Sequence, residues 1–305
     1  MSSRQLAAVA LLFSPFMGAT DEIVAESSRF DPTRVRWSQL DFRASKLAVT
    51  ATSEVEIRTE PASRAVDQWL ESSTGRPVTP QESEVVRIQL RSVVLGKSSD
   101  LDLWVDPLSG AAIQRTQLET GKKVRHNRHR SLRFTDTGVF QSTYRAKEET
   151  VDRPFREWAL SEDFVTFPEG MTRGVVVTEP SALFYLLAVA DLDEKGDAIL
   201  THVFSKNRVM QVRLAVLGWT EIQVDYTETA DAGQRQVKGR QKVVRIGLEG
   251  STLGGLGSDR DFEFLGLRGD VEVFLEPARR IPLQISGNIR YVGKGHVRLQ
   301  RVRLK

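Results

Sequence analysis

Residues 86–91 read Val-Arg-Ile-Gln-Leu-Arg, with Val86, Ile88 and Leu90 alternating with Arg87, Gln89 and Arg91. Successive strand residues point to opposite faces, so this stretch separates its apolar and polar sides only when extended. The same period recurs downstream. Asp102 and Trp104 separate Leu101, Leu103 and Val105; Arg213 and Ala215 separate Val212, Leu214 and Val216; Gln223 and Asp225 separate Ile222, Val224 and Tyr226. Turn formers stand between the runs: residues 106–110 (DPLSG), Gly121, 136–138 (DTG), Gly218 and 231–233 (DAG). Many short strands at such spacing predict a mainly β fold, and the absence of helix–strand alternation disfavours a doubly wound sheet.

Two stretches break the period. Residues 61–72 carry Val66, Trp69 and Leu70 at helical spacing behind Pro61. Residues 180–192 (PSALFYLLAVADL) are apolar nearly all round, again with Pro at the start. A helix with no polar face is buried on every side. The expected architecture is therefore a strongly curved antiparallel sheet or open barrel around one buried apolar helix. Residues 247–257 (GLEGSTLGGLG) have neither the Lys-Ser/Thr of a phosphate loop nor a clean GxGxxG, and read as a flexible connection.

The 305 residues are 40% hydrophobic and 27% charged, enough apolar matter for a sizeable core and too much for disorder as the main state. Against 40 acidic residues stand 43 basic ones, a net charge of +3 that by itself implies no polyanion partner. The chain has no cysteine, which removes disulfides, thiol nucleophiles, thiolate metal sites and a lipidated N-terminal cysteine. At the N-terminus Arg4 precedes the apolar residues 6–16 (LAAVALLFSPF), and Met17, Gly18 and Ala19 lead into polar Thr20, Asp21 and Glu22. That order predicts a secretory signal peptide over 1–19, a linker over 20–33 and a single β-rich domain over 34–305. The apolar run is too short to span a bilayer. Arg298, Arg301, Arg303 and Lys305 crowd the last strand, which favours a soluble periplasmic form over a transmembrane barrel.

Chemistry-bearing residues are sparse. His126 and His129 would share a face on a helix but not on a strand, and the cations around them repel a metal, so no metal site is expected. No GxSxG elbow occurs, and Glu148-Glu149 and the Asp191/Asp193 pair nominate no glycosidase dyad; neither a catalytic residue nor a cofactor is assigned. The sharpest charge feature is residues 121–130 (GKKVRHNRHR), read as a basic hairpin between strands at 113–118 and 132–134. Lys122, Lys123, Arg125, Arg128 and Arg130 are its candidates for contact with anionic headgroups. The run lacks the aromatic rings of a single-strand platform, so no nucleic-acid partner is expected. Phe184 and Leu187, on the apolar helix, are the candidate ligand-binding residues should the interior be hollow.

Residues 178–185 (TEPSALFY), the 106–110 turn, and residues 277–285 (PARRIPLQI) followed by Gly293 and a closing strand carry a resemblance. Their order resembles an uncharacterised family of exported proteobacterial proteins, the domain of unknown function number three thousand one hundred and eight, over residues 38–304. The helix start here is Glu-Pro where that family has Asp-Pro, and Phe274 stands near its usual Trp. The resemblance implies an exported β-rich fold like the open barrels of lipoprotein carriers and transfers no catalytic residue. Pro282 within a strand suggests a sheet edge. The leading expectation is a non-enzymatic periplasmic envelope protein that binds a lipid or other apolar ligand, with peripheral membrane contact at most. The alternatives are a solid-core scaffold for an envelope protein partner, and a hydrolase without a recognisable motif.

Overall fold

A computed structural model describes residues 30–46, 49–171, 174–253, 262–289 and 293–305. The expected signal peptide lies outside them, as do residues 20–29 of the expected linker. Of the rest of that linker, Phe30 donates its N–H to the Leu108 carbonyl at 2.9 Å and packs on the core.

The alternation produces a mainly β fold of sixteen strands in one sheet. The first eight form a meander: β1 (Trp37–Lys46), β2 (Val49–Pro61), β3 (Glu84–Val94), β4 (Lys97–Val105), β5 (Ala112–Gly121), β6 (Arg128–Phe134), β7 (Gly138–Arg145) and β8 (Ala159–Thr166). Between β2 and β3 lies α1 (Ala62–Ala65). After β9 (Val177–Thr178) and α2 (Leu183–Val189) come β10 (Ala198–Ser205), β11 (Arg208–Ala230), β12 (Gly233–Thr252), β13 (Glu263–Phe264), β14 (Leu267–Glu276), β15 (Ile281–Ile289) and β16 (Gly293–Leu304). The sheet order is β8-β7-β6-β5-β4-β3-β2-β1-β16-β15-β14-β12-β11-β10-β9, with β13 on β14. All these pairs are antiparallel except β9–β10. Two meanders are thus joined where β1 pairs with β16. Phe134 of β6 meets Phe204 of β10 edge-on at 6.0 Å, yet among the described residues no ladder joins β8 to β9 or β10.

The two-residue period sorts the faces as sequence requires. Val86, Ile88, Leu101, Leu103 and Val105 are buried in the main core, while Arg87 and Gln89 donate to Asp102 at 2.7 and 2.8 Å on the other face. Trp104 is the exception on that polar face. It is buried with Val85 and Ile113 beneath Ala65, and its indole N–H donates to Glu60 at 2.9 Å.

Several expectations need correction. Gly218 is not a turn but a bulge inside the 23-residue β11, where the register shifts between Val216 and Gly218 at φ +130°. One long strand replaces two because β12 pairs with β11 along its whole length. Residues 247–252 are strand, not connection: Gly247 and Gly250 face Leu217 and Phe262, where a Cβ would come within 3.1 and 2.5 Å of those side chains. Residues 254–257 of that stretch lie outside the described residues. Pro282 sits in an interior strand, β15, rather than at an edge. It pairs with Leu275 of β14 next to a register shift, and because the β15–β16 pairing begins only at Gln284 its other side is locally unpaired, where a missing N–H costs little. The helix read over 61–72 is shorter, α1 followed by a 3-10 turn over Val66–Gln68, with Trp69 already extended.

The apolar stretch begins as a 3-10 turn (Pro180–Ala182) and continues as α2, every residue of which is buried. Buried charge holds both ends. Glu179, 2% exposed, accepts from the Ser181 N–H at 2.8 Å at the N-terminus. At the C-terminus Arg280, 3% exposed, donates to the carbonyls of Ala190 and Leu192 at 2.7 and 3.0 Å. An anion at the start and a cation at the end complement the helix dipole and satisfy groups that the short helix leaves open. Tyr185 donates its hydroxyl to the Pro107 carbonyl at 2.6 Å, tying α2 to the 106–110 turn. Buried Asp106 shapes that turn by accepting from Ser109 N–H and Gln81 N–H, both at 2.9 Å.

Candidate functional site

The inner face changes character along the same strands. Near α2 it carries Val55, Ile57, Ile88 and Leu103, all buried. Farther along, the register places Ala44 opposite Ala51, Ser53 opposite Ser92, and Ser92 opposite Ser99. Small side chains cannot fill the interior, and α2 does not extend to this end. A cavity of about 980 Å³ results, bounded by these residues together with β13, the start of β14 and the paired ends of β15 and β16. Its size lies within the range of small-molecule sites, roughly 300–1,000 Å³.

An aromatic trio forms the floor. Phe184 lies 5.9 Å from Phe42 and 5.1 Å from Phe264, ring to ring, in tilted contacts. Of the two candidate ligand residues, Phe184 therefore borders the cavity. Leu187, nearly one turn farther along α2, is 0% exposed in the core and does not line it. The sequence singles out the helix but not which of its ends faces open space.

One side of the wall is polar. Glu263 accepts from Arg268 at 3.0 and 2.7 Å and from Lys206 at 2.9 Å. Burial pushes its carboxyl upward, but those hydrogen bonds and charges prevail and hold it below the usual carboxylate range. His296 also lines the wall, with its Nδ1 2.7 Å from the Ser286 hydroxyl. The β15–β16 register brings the two side by side, a pairing with no local sequence signature. The Ser286 hydroxyl belongs to a buried residue outside the cavity wall, so the contact positions His296 rather than presenting a nucleophile.

The basic run is a hairpin, as its flanks predict, but its strands reach farther, to Gly121 and from Arg128. Asn127 shapes the connection by accepting from Gly121 N–H at 3.1 Å and donating to the Gly121 carbonyl at 3.2 Å. Lys122, Lys123 and Arg125 stand exposed on this loop. Arg128 and Arg130 belong to β6, opposite Glu119 and Gln117 of β5, both of which line the cavity. The structure thus splits the five candidate cations into three on the outside and two on the inner face. The pleat adds Arg115 of β5 and Arg145 of β7 to that face, two residues outside the run. Burial, then the charges of Arg145 and Arg115, lowers the Arg128 guanidinium. Burial, then Arg128, Arg115 and Arg145, brings Arg130 down to about 10. His126 and His129 part company: His126 closes a 3-10 turn, while His129 stacks on Phe155 at 3.9 Å. No helix among the described residues is long and apolar enough to cross a membrane.

No family model and no curated protein matches the chain. Among solved structures it is similar to a beta-barrel-like protein of domain of unknown function DUF1849 from Brucella abortus, at 11% identity and a TM-score of 0.42, over 89% of this chain and 99% of that one.

Proposed function

We propose that this is a non-enzymatic, exported periplasmic protein that holds a lipid or other apolar ligand in the cavity above Phe184. In this reading the bent sheet works as an open barrel, α2 plugs one end, and the other end receives the ligand. The observation that carries it is the aromatic floor of Phe42, Phe184 and Phe264 beneath a cavity of about 980 Å³. Interiors normally close to crystal-like density, so a space of this size kept open by Ala and Ser at inward positions supports a binding role. Lys122, Lys123 and Arg125, exposed on the β5–β6 loop, are suited to transient contact with anionic headgroups. The order of charge, apolar run and small residues over 1–19 supports export.

Native mass spectrometry of the protein purified from envelope extracts tests the reading. A co-purified apolar mass is expected, lost in the Ser53→Leu/Ser92→Leu double variant that fills the cavity. An apo mass throughout, together with no uptake of N-phenylnaphthylamine, would overturn it.

A second reading, a scaffold that recruits an envelope protein by strand addition, is favoured by β8. Among the described residues this strand pairs only with β7, and residues 159–163 are exposed. Crosslinks from β8 to an envelope partner, abolished by Ser161→Pro, would support that reading instead.

A further inference from the structure

Four arginines share the inner face of β5, β6 and β7 beside the cavity. Arg128 lies opposite Glu119 on one side and Arg145 on the other; Arg130 lies opposite Gln117 and Thr143; Arg115 lies opposite Leu132. Two carboxylates answer them directly. Arg128 pairs with Glu119, and Arg115 stands 3.7 Å from Glu179, whose other task is to cap α2. Asp163, on the same face of β8, accepts its neighbour's N–H at 2.9 Å. Arg145 reaches, among the described residues, only the Ser161 hydroxyl, at 3.5 Å. Among the described residues the Arg130 side chain has neither a hydrogen bond nor an ion pair, and its Nε is buried without a partner; Arg115 donates to Gln117 but makes no hydrogen bond through its buried Nε, the atom that faces Glu179. Arg115, Arg128 and Arg130 are partly buried and Arg145 is exposed; gathering like charges there raises the energy of the buried ones, and a buried donor without a hydrogen bond costs more still. A fold keeps such an arrangement when an anion completes it, since guanidinium groups match the paired oxygens of phosphate and carboxylate.

We infer that Arg115, Arg128, Arg130 and Arg145 form an anion site beside the cavity wall, suited to the phosphate or carboxylate head of an amphiphile whose apolar part lies over Phe42, Phe184 and Phe264. The inference rests on the cavity reading given under Proposed function and deepens it. The site and the cavity are contiguous, because Gln117 and Glu119 line the one and are register partners of the other. A fully apolar ligand would leave the arginines unmatched; a free anion would leave the aromatic floor uncovered.

Three probes separate the cases: a lysophosphatidic acid, a monoacylglycerol with the same chain, and inorganic phosphate, each titrated into the wild-type full chain and into Arg130→Gln. The expected result is that the lysophosphatidic acid binds about tenfold or more tightly than the monoacylglycerol, and that Arg130→Gln erases this preference while leaving the monoacylglycerol affinity unchanged. Arg130 has no partner to lose, so the variant should melt no lower than wild type; Arg145→Gln is the second probe of the same preference. Equal binding of both lipids by wild type, or a preference untouched by both variants, would overturn the anion site and leave the cavity reading standing. Phosphate binding without either lipid, lost in Arg130→Gln, would support the anion site with a free anion as its source and overturn the cavity reading. Binding of none of the three would overturn both.

Discussion

One set of strands, β1 to β4, builds two interiors of opposite kind. At the α2 end Val55, Ile57, Ile88 and Leu103 interdigitate with a helix that has no polar face, and the space is solid. At the other end the inward positions carry Ala44, Ala51, Ser53, Ser92 and Ser99, and the space is open. The backbone is equally regular in both, with unbroken pairing of β2 with β3 from Ala51 to Pro61. Side-chain size at alternate positions, not a change of fold, decides which end is filled. The difference also separates their duties: one end stores stability and the other gives some up for volume.

The comparison can be broken most forcefully at the solid end. Arg280→Gln strands two buried carbonyls and removes the cation at the end of α2, and should cost about 3–5 kcal/mol in urea unfolding. A loss below about 1 kcal/mol would mean that α2 is not the keystone of that end. Paired overpacking variants test the contrast itself. Ala182→Leu, in the packed region, should cost about 1–3 kcal/mol, whereas Ser92→Leu should change stability by less than about 1 kcal/mol because its side chain enters open space. Equal penalties would show both ends to be equally full. Tyr185→Phe sharpens the picture by removing only the hydrogen bond to Pro107, for about 1–2 kcal/mol in the same unfolding assay.

The smallest expected effect is pH dependence from the histidines. Burial holds His129 and His202 below the ordinary value, with Arg156 adding to the shift at His129. Their unfolded forms bind protons first as pH falls, so stability should decline from about pH 6.5 downward and level off below the folded-state values. The slope should shrink in His129→Phe, where stacking on Phe155 survives without a proton site; an unchanged acid limb would remove His129 from the account.

Much of this was legible in the residues alone. The alternation at 86–90 and 101–105 gave faces that the pairing respects, and the apolar stretch behind Pro180 marked the segment that became α2. What escaped was set by partners distant in sequence. Gly218 looks like a turn until β12 is laid beside it, and Pro282 looks like an edge until β16 is seen to begin its pairing beyond it. The arginine cluster hid for the same reason. Its members lie on three strands, and the contiguous basic run over 121–130 mixes residues of an exposed loop with residues of the inner face. Charge density along a chain says little about charge density across a sheet, because register alone decides which side chains become neighbours.

The junction of the two meanders bears on how the chain reaches this state. Trp37 pairs with Leu304 and Ala44 with Val297, so β1 meets its second partner across nearly the whole described chain. The same β16 binds β15 through residues 293–298 and touches β11 in parallel at residues 301–303, so its docking closes contacts of very different loop length together. The first eight strands can pair with their chain neighbours as synthesis proceeds, yet β1 must wait with an unoccupied edge and a half-covered apolar surface. Completion should therefore be a slow, single late event, and a chaperone that shields β1 during that interval would matter more for yield than any gain in final stability.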